Sequence, residues 1–132
     1  MKFSEDKPAG SHIVRGYDMQ GIDINGRVFR QSLVVSRQQL VTDWPVRSVD
    51  ELNETTLAVL LAIQPEVILI GTGSALRFPH PQAYASLINL GVGVEFMDSA
   101  AACRTYNILL GEDRQVVAGI ILQERAMPAT KI

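Results

Sequence analysis

Glu66–Gly73, Glu-Val-Ile-Leu-Ile-Gly-Thr-Gly, constrains the fold more than any other stretch of this chain. A short run of apolar, β-branched residues reads as a strand buried on both faces, which requires layers above and below the sheet. Gly71 and Gly73 bracket Thr72 just past the strand's C-terminal end, where open α/β sheets place their ligand crevices. A second segment, Met97–Asn107, repeats the strand-to-helix theme with polar groups at the junction. If the two strands are parallel neighbours, both reversals face one shared crevice.

The rest of the chain supports an α/β reading. Ile22–Ile24 and Val28–Phe29 flank Asn25-Gly26, a two-residue hairpin signal because both residues tolerate positive φ. Residues 31–36 read as a further strand, and Thr42–Pro45 as a turn. Ser48 with Glu51 fits a capping box opening a first helix, whose apolar face carries Val49, Leu52, Leu57, Leu60, Leu61 and Ile63 and which ends at Pro65. Pro81 starts a second helix closed by Gly91, and Ser99 caps a third that reaches about Leu110. Strands are expected at 94–97 and 114–122. The expected architecture is a three-layer α/β domain: a central, mixed, mostly parallel sheet with helices and an additional N-terminal β-hairpin layer. It spans 12–124, with a flexible arm at 1–11 and a tail at 125–132.

Bulk properties narrow the function classes. The 132 residues are the length of one domain, and a 47% hydrophobic share excludes disorder. The net charge of −2, with no basic cluster, argues against nucleic acid and against an electrostatic membrane anchor. A single cysteine rules out an internal disulfide, and no apolar run is long enough to span a membrane or form a secretory signal. A cytoplasmic, bacterial protein is expected, without membrane insertion.

No catalytic constellation is complete. Gly71-Thr72-Gly73 lacks the third small residue of a dinucleotide fingerprint, since Leu76 stands there. Two histidines and one cysteine without ligand spacing make no metal site, and nothing calls for a cofactor. An anion site remains open to the residues. In it Gly71, Thr72 and Gly73 hold the charged group, Arg77 or Arg104 neutralises it, and Ser99 orients it at a helix start, with Ser74 and Asp98 as further candidates beside them. Each has a structural alternative: the glycines as a tight turn, Asp98 and Ser99 as caps, Arg104 as an internal ion pair with Asp98 or Glu112, and Tyr106 and Asn107 as partners for buried backbone. Cys103 near the helix start is either an acidified thiol, with His80 as an imaginable base, or an inert small hydrophobe.

Pro65–Gly73, Met97-Asp98-Ser99, Arg104-Thr105-Tyr106-Asn107, Leu109 and Glu112-x-Arg114 with Val116 resemble the small domain of mitochondrial complex I assembly factor 3 and its bacterial and archaeal relatives. The resemblance covers about residues 10–122, departing at Ser99, where the family more often has Thr. It implies the three-layer fold and, for the mitochondrial member, a role in respiratory complex assembly through partner proteins. Two functions are therefore expected. The first is a non-catalytic binding or assembly module with a protein partner or a second copy, docking through an apolar patch around Trp44, Leu76 and Phe78. The alternative is a small-molecule binding protein or enzyme that takes an anionic ligand at the 71–77 loop and the 98–107 helix start.

Overall fold

The computed structural model describes residues 10–123; the expectations for the arm before Gly10 and for the C-terminal tail fall outside them. Three short strands, β1 (Val14–Asp18), β2 (Gly21–Ile24) and β3 (Arg27–Phe29), form an antiparallel sheet in that order. Asn25 and Gly26 make the β2–β3 turn with φ of 54° and 96°, the left-handed pair that this hairpin geometry demands. Arg15 is the extra residue of a bulge between Val14 and Gly16. Ser11, assigned from sequence to the arm, is buried, and its carbonyl accepts a bond from Asn25 Nδ2.

The main sheet has five strands: β4 (Leu33–Ser36), β5 (Leu40–Val41), β6 (Val67–Gly71), β7 (Gly93–Met97) and β8 (Val116–Ile120), in the order β5-β4-β8-β6-β7. It is mixed: β8, β6 and β7 run parallel, while β4 runs antiparallel to both β8 and β5. β8 is buried throughout, as the central strand of a covered sheet must be. One face carries Leu33, Val35, Leu69, Ala118 and Ile120 against the N-terminal sheet and the longest helix, α3 (Ser99–Gly111). The other face carries Val34, Ile68, Ile70, Val117 and Ile121 against Trp44, α1 (Glu54–Leu61) and α2 (Ala85–Asn89). The alternation of odd and even residues between the two cores follows from the period of two along a strand.

Two helix starts differ from the sequence reading. The Ser48/Glu51 pattern yields only a 3-10 turn over Val49–Glu51 without a side-chain cap, because Glu51 turns back to accept from the Arg47 amide. The helix opens five residues later, where Asn53 and Thr56 exchange the reciprocal bonds of a capping box. Likewise Pro81 starts a 3-10 turn, Pro81–Ala83, with α2 beginning only at Ala85.

Glu66 ties the entrance of β6 to that of β8. Its carboxylate accepts from Arg114 Nε at 3.1 Å and from the Gln115 amide at 2.9 Å. The amide bond first, then the guanidinium, hold the Glu66 carboxyl below its ordinary 4.5. A depressed folded-state pKa contributes stability above the unfolded value that is lost as pH falls through the folded one. Urea melts at stepped pH should therefore show the wild type losing its advantage over Glu66→Gln on acidification below 4.5. A pH-independent difference between the two would contradict the role assigned to this carboxylate.

Candidate functional site

The glycine loop and the start of α3 meet, but they meet in contact. Gly73, with φ of 102°, donates its amide to Ser99 Oγ at 2.8 Å and accepts the Ser99 amide at 2.8 Å. Ser99 Oγ in turn donates to the Ile121 carbonyl at 2.7 Å, and Ser99 has no exposed surface. A Cβ on Gly71 would stand 2.8 Å from Ser99 Cα and 3.1 Å from Ala102 Cβ, so the glycine is what lets α3 seat on the end of β6. The expectation of a crevice shared by the two reversals is thus overturned: backbone and the Ser99 hydroxyl occupy the space. The physical reason is that Ser99 is the first helical residue, not the cap, and faces inward. Asp98 is the cap, accepting from the Ala101 amide at 2.8 Å.

The remaining loop residues fold the loop onto itself. Thr72 Oγ1 donates to the Ala75 carbonyl at 2.7 Å and accepts from the Arg77 amide at 3.1 Å. Ser74 binds Gln123 Oε1 through its amide and its hydroxyl. Arg77 lies 3.8 Å from Asp50 in an exposed pair.

Farther along α3, Tyr106 and Asn107 hold the N-terminal sheet in place. Tyr106 is fully buried and donates its hydroxyl to the His12 carbonyl at 2.7 Å; burial pushes its pKa well up. The Asn107 amide pairs with both backbone groups of Val14, accepting from N at 3.1 Å and donating to O at 2.6 Å, as a neighbouring strand would. Arg104 is exposed and, among the described residues, forms no ion pair with Asp98 or Glu112. With Arg15, Tyr17, Cys103 and Asn107 it lines a cleft of about 240 Å³ between β1 and α3. Of the sequence-derived site residues, only Arg104 and Asn107 border this cleft. Burial, then the nearby Cys103 and Asp98, raise the Tyr17 phenol.

Cys103 forms the floor of that cleft and is 5% exposed. Burial pushes its thiol up to about 12, against a smaller downward pull from Arg104. His80 caps the turn before α2, on the other face of the sheet, so no Cys–His pair forms. A protonated thiol is a poor nucleophile. Iodoacetamide at pH 8 should therefore alkylate Cys103 at least about a hundredfold more slowly in the native protein than in urea. Comparable rates would restore the thiol as a reactive group.

A larger cleft, of about 450 Å³, went unseen in the sequence. It opens where the β1–β2 turn (Met19, Gln20), Arg30, the Trp44–Arg47 turn and Leu122 converge. These are distant in sequence and share no motif, so only hydrophobicity and charge at single positions hinted at them. Trp44 also corrects the expected patch: it is 3% exposed, with Nε1 donating to the Thr56 carbonyl at 3.0 Å. Leu76 and Phe78 are exposed as expected, at 51% and 65%. Ile88 and Leu90 of the α2 region are exposed as well, and the Phe78 ring packs edge-on against Phe96 of β7 at 5.8 Å. Among the described residues no three His, Cys, Asp or Glu side chains gather as metal ligands, and no helix is long and apolar enough to cross a membrane.

Known proteins share this architecture. The chain is 30% identical over 122 residues to the "13 kDa major membrane protein" of Francisella tularensis, covering 92% of this chain and 99% of that protein. It is 31% identical over 111 residues to "NADH dehydrogenase [ubiquinone] 1 alpha subcomplex assembly factor 3" of Rattus norvegicus, covering 82% of this chain but only 59% of the rat protein's length. The NMR structure of a Xanthomonas campestris protein superposes with a TM-score of 0.82 at 32% identity, covering 100% of both chains. The resemblance read from Pro65–Gly73 and Arg104–Asn107 is therefore shown. Residues 14–121 match the family model described as "Protein of unknown function (DUF498/DUF598)", and this chain belongs to that family.

Proposed function

We propose that this chain is a non-catalytic docking module that assists assembly of a larger protein complex, working in the cytoplasm. The family-level support is the assembly-factor name of the rat relative. The observation that carries the reading is that, among the described residues, β7 is an edge of the main sheet, with exposed Phe78 packed on its Phe96. Exposed Ile88 and Leu90 lie in and just after the α2 that contacts β7, and Leu76 is exposed in the preceding loop. An edge strand presents unpaired N–H and C=O groups to an extended segment of a partner, and large apolar side chains beside it supply the burial that makes such pairing stable. The membrane-protein name of the Francisella relative fits a module that docks onto a membrane-associated complex, none of the helices among the described residues being long and apolar enough to cross a membrane.

The test is affinity purification from the source organism with quantitative mass spectrometry, comparing wild type with the double variant Phe78→Asp/Leu90→Asp, alongside light scattering of both. A specific co-purifying protein depleted at least about tenfold by the double variant, but not by Arg104→Gln, is the expected result. A concentration-dependent dimer lost in the same variant would make the partner a second copy. Identical co-purifying proteins from both forms would overturn the reading.

A further inference from the structure

We infer that the cleft of about 450 Å³ between the N-terminal sheet and the Trp44 turn is a binding site for a small organic acid with an apolar body. The volume lies in the range of natural small-molecule sites, and its composition suits an amphipathic guest. Met19, Trp44, Pro45 and Leu122 supply apolar wall, while Arg30 and Arg47 stand at the same opening.

The walls are held independently of any guest. Arg30 donates one Nη1 hydrogen bond to the Gln20 carbonyl at 3.1 Å, which fixes the guanidinium and leaves the rest of its five-donor fork free to bind. Ser32, buried behind it, accepts from the Leu122 amide at 2.9 Å and so joins β4 to the end of β8. Trp44 is locked by its bond to Thr56 and by its fit over Gly119, where a Cβ would come within 2.6 Å of the ring.

Charge selects the sign of the guest. Arg47 is partly engaged by Glu51 at 3.3 Å, so the main anchor is Arg30. Asp43 also borders the cleft and opposes an anion. Asp18, in the neighbouring turn, spends its Oδ1 on the amides of Gln20 and Gly21. A second opening that shares Arg30 and Asp43 adds Arg27, so two guanidiniums besides the Glu51-paired Arg47 face the one carboxylate that lines the openings. A planar guanidinium beside apolar wall captures a carboxylate in bidentate fashion while the hydrocarbon lies against the exposed Met19 thioether and Pro45 ring, at the rim of the buried Trp44. No residue of the glycine loop or α3, where an anion was expected from sequence, lines this cleft, although Gln123, which does, accepts from Ser74 of that loop.

Trp44 is the only tryptophan in the chain, so its emission reports directly on this cleft. The probes are decanoate and, as an uncharged match, 1-decanol. Decanoate should shift the Trp44 emission saturably, and decanol should bind at least about fivefold more weakly, reflecting one lost charge-assisted contact. Arg30→Gln should weaken decanoate by a similar factor and leave decanol unchanged. Its thermal melt should match wild type, since Arg30 is exposed. Met19→Glu, which adds a like charge to the wall, should also weaken decanoate. No saturable shift, equal binding of the acid and the alcohol, or an Arg30→Gln variant that binds decanoate normally would each overturn the site. The edge at β7 takes no part, so failure here leaves the docking reading standing.

Discussion

Trp44→Ala is expected to cost about 3–5 kcal/mol and to lower Tm by at least about 10 °C, the largest effect of any single change considered. The ring is almost wholly enclosed in the second core, between β8 and α1. Gly119 of β8 is empty where the ring lies, with the hypothetical Cβ at 2.6 Å from Cη2 and 2.9 Å from Cζ3. Truncation therefore leaves a cavity against a central strand that cannot collapse without bending the sheet. The loss also removes the Nε1 bond to the Thr56 carbonyl at the first turn of α1. Trp44→Phe retains most of the volume and should lose only about 1–2 kcal/mol. Thermal melts followed by circular dichroism separate the two, and a Trp44→Ala melt within about 3 °C of wild type would refute the packing argument.

Ser99→Ala should cost about 2–4 kcal/mol, because one hydroxyl satisfies two buried backbone groups. Without it the Gly73 amide and the Ile121 carbonyl lose the partners they have at 2.8 and 2.7 Å. A single missing oxygen leaves less room than a water molecule occupies (about 30 Å³ in the liquid), so both groups carry their desolvation penalty. Ser99→Thr, which keeps the oxygen, should recover most of the loss. Urea unfolding gives the energies, and hydrogen exchange at the Gly73 amide gives the location. An Ala variant as stable as wild type, with unchanged Gly73 protection, would show that the junction is not held as described.

The contrast between these two residues explains where sequence reasoning succeeded. The β6 run, the Asn25-Gly26 hairpin and the extent of α3 depend on neighbours within a few residues, and each formed as expected. The first helix start went astray because two capping patterns, Ser48/Glu51 and Asn53/Thr56, compete locally with similar chemistry. What decides between them is the packing of Val49, Leu52 and Trp44 against the sheet, which no local pattern encodes. Trp44 was read as exposed for the same reason: a tryptophan before a proline in a turn carries no sign of the glycine waiting 75 residues later.

While the family came from the likeness of particular blocks such as Arg104–Asn107, periodicity and turn residues determined the α/β class and the covered parallel strands. They also marked 71–74 and 98–107 as places where polar groups gather at strand and helix ends. Only the folded chain decided the use of those groups. Ser99, Gly73 and Ile121 lie 22 to 48 positions apart, and whether they enclose a ligand or bond to one another depends on a few tenths of a nanometre of separation. Hydrogen-bonding capacity is a property of residue type, whereas the partner that consumes it is a property of distance. For that reason the expected crevice closed, and the larger one opened among residues that no motif connects.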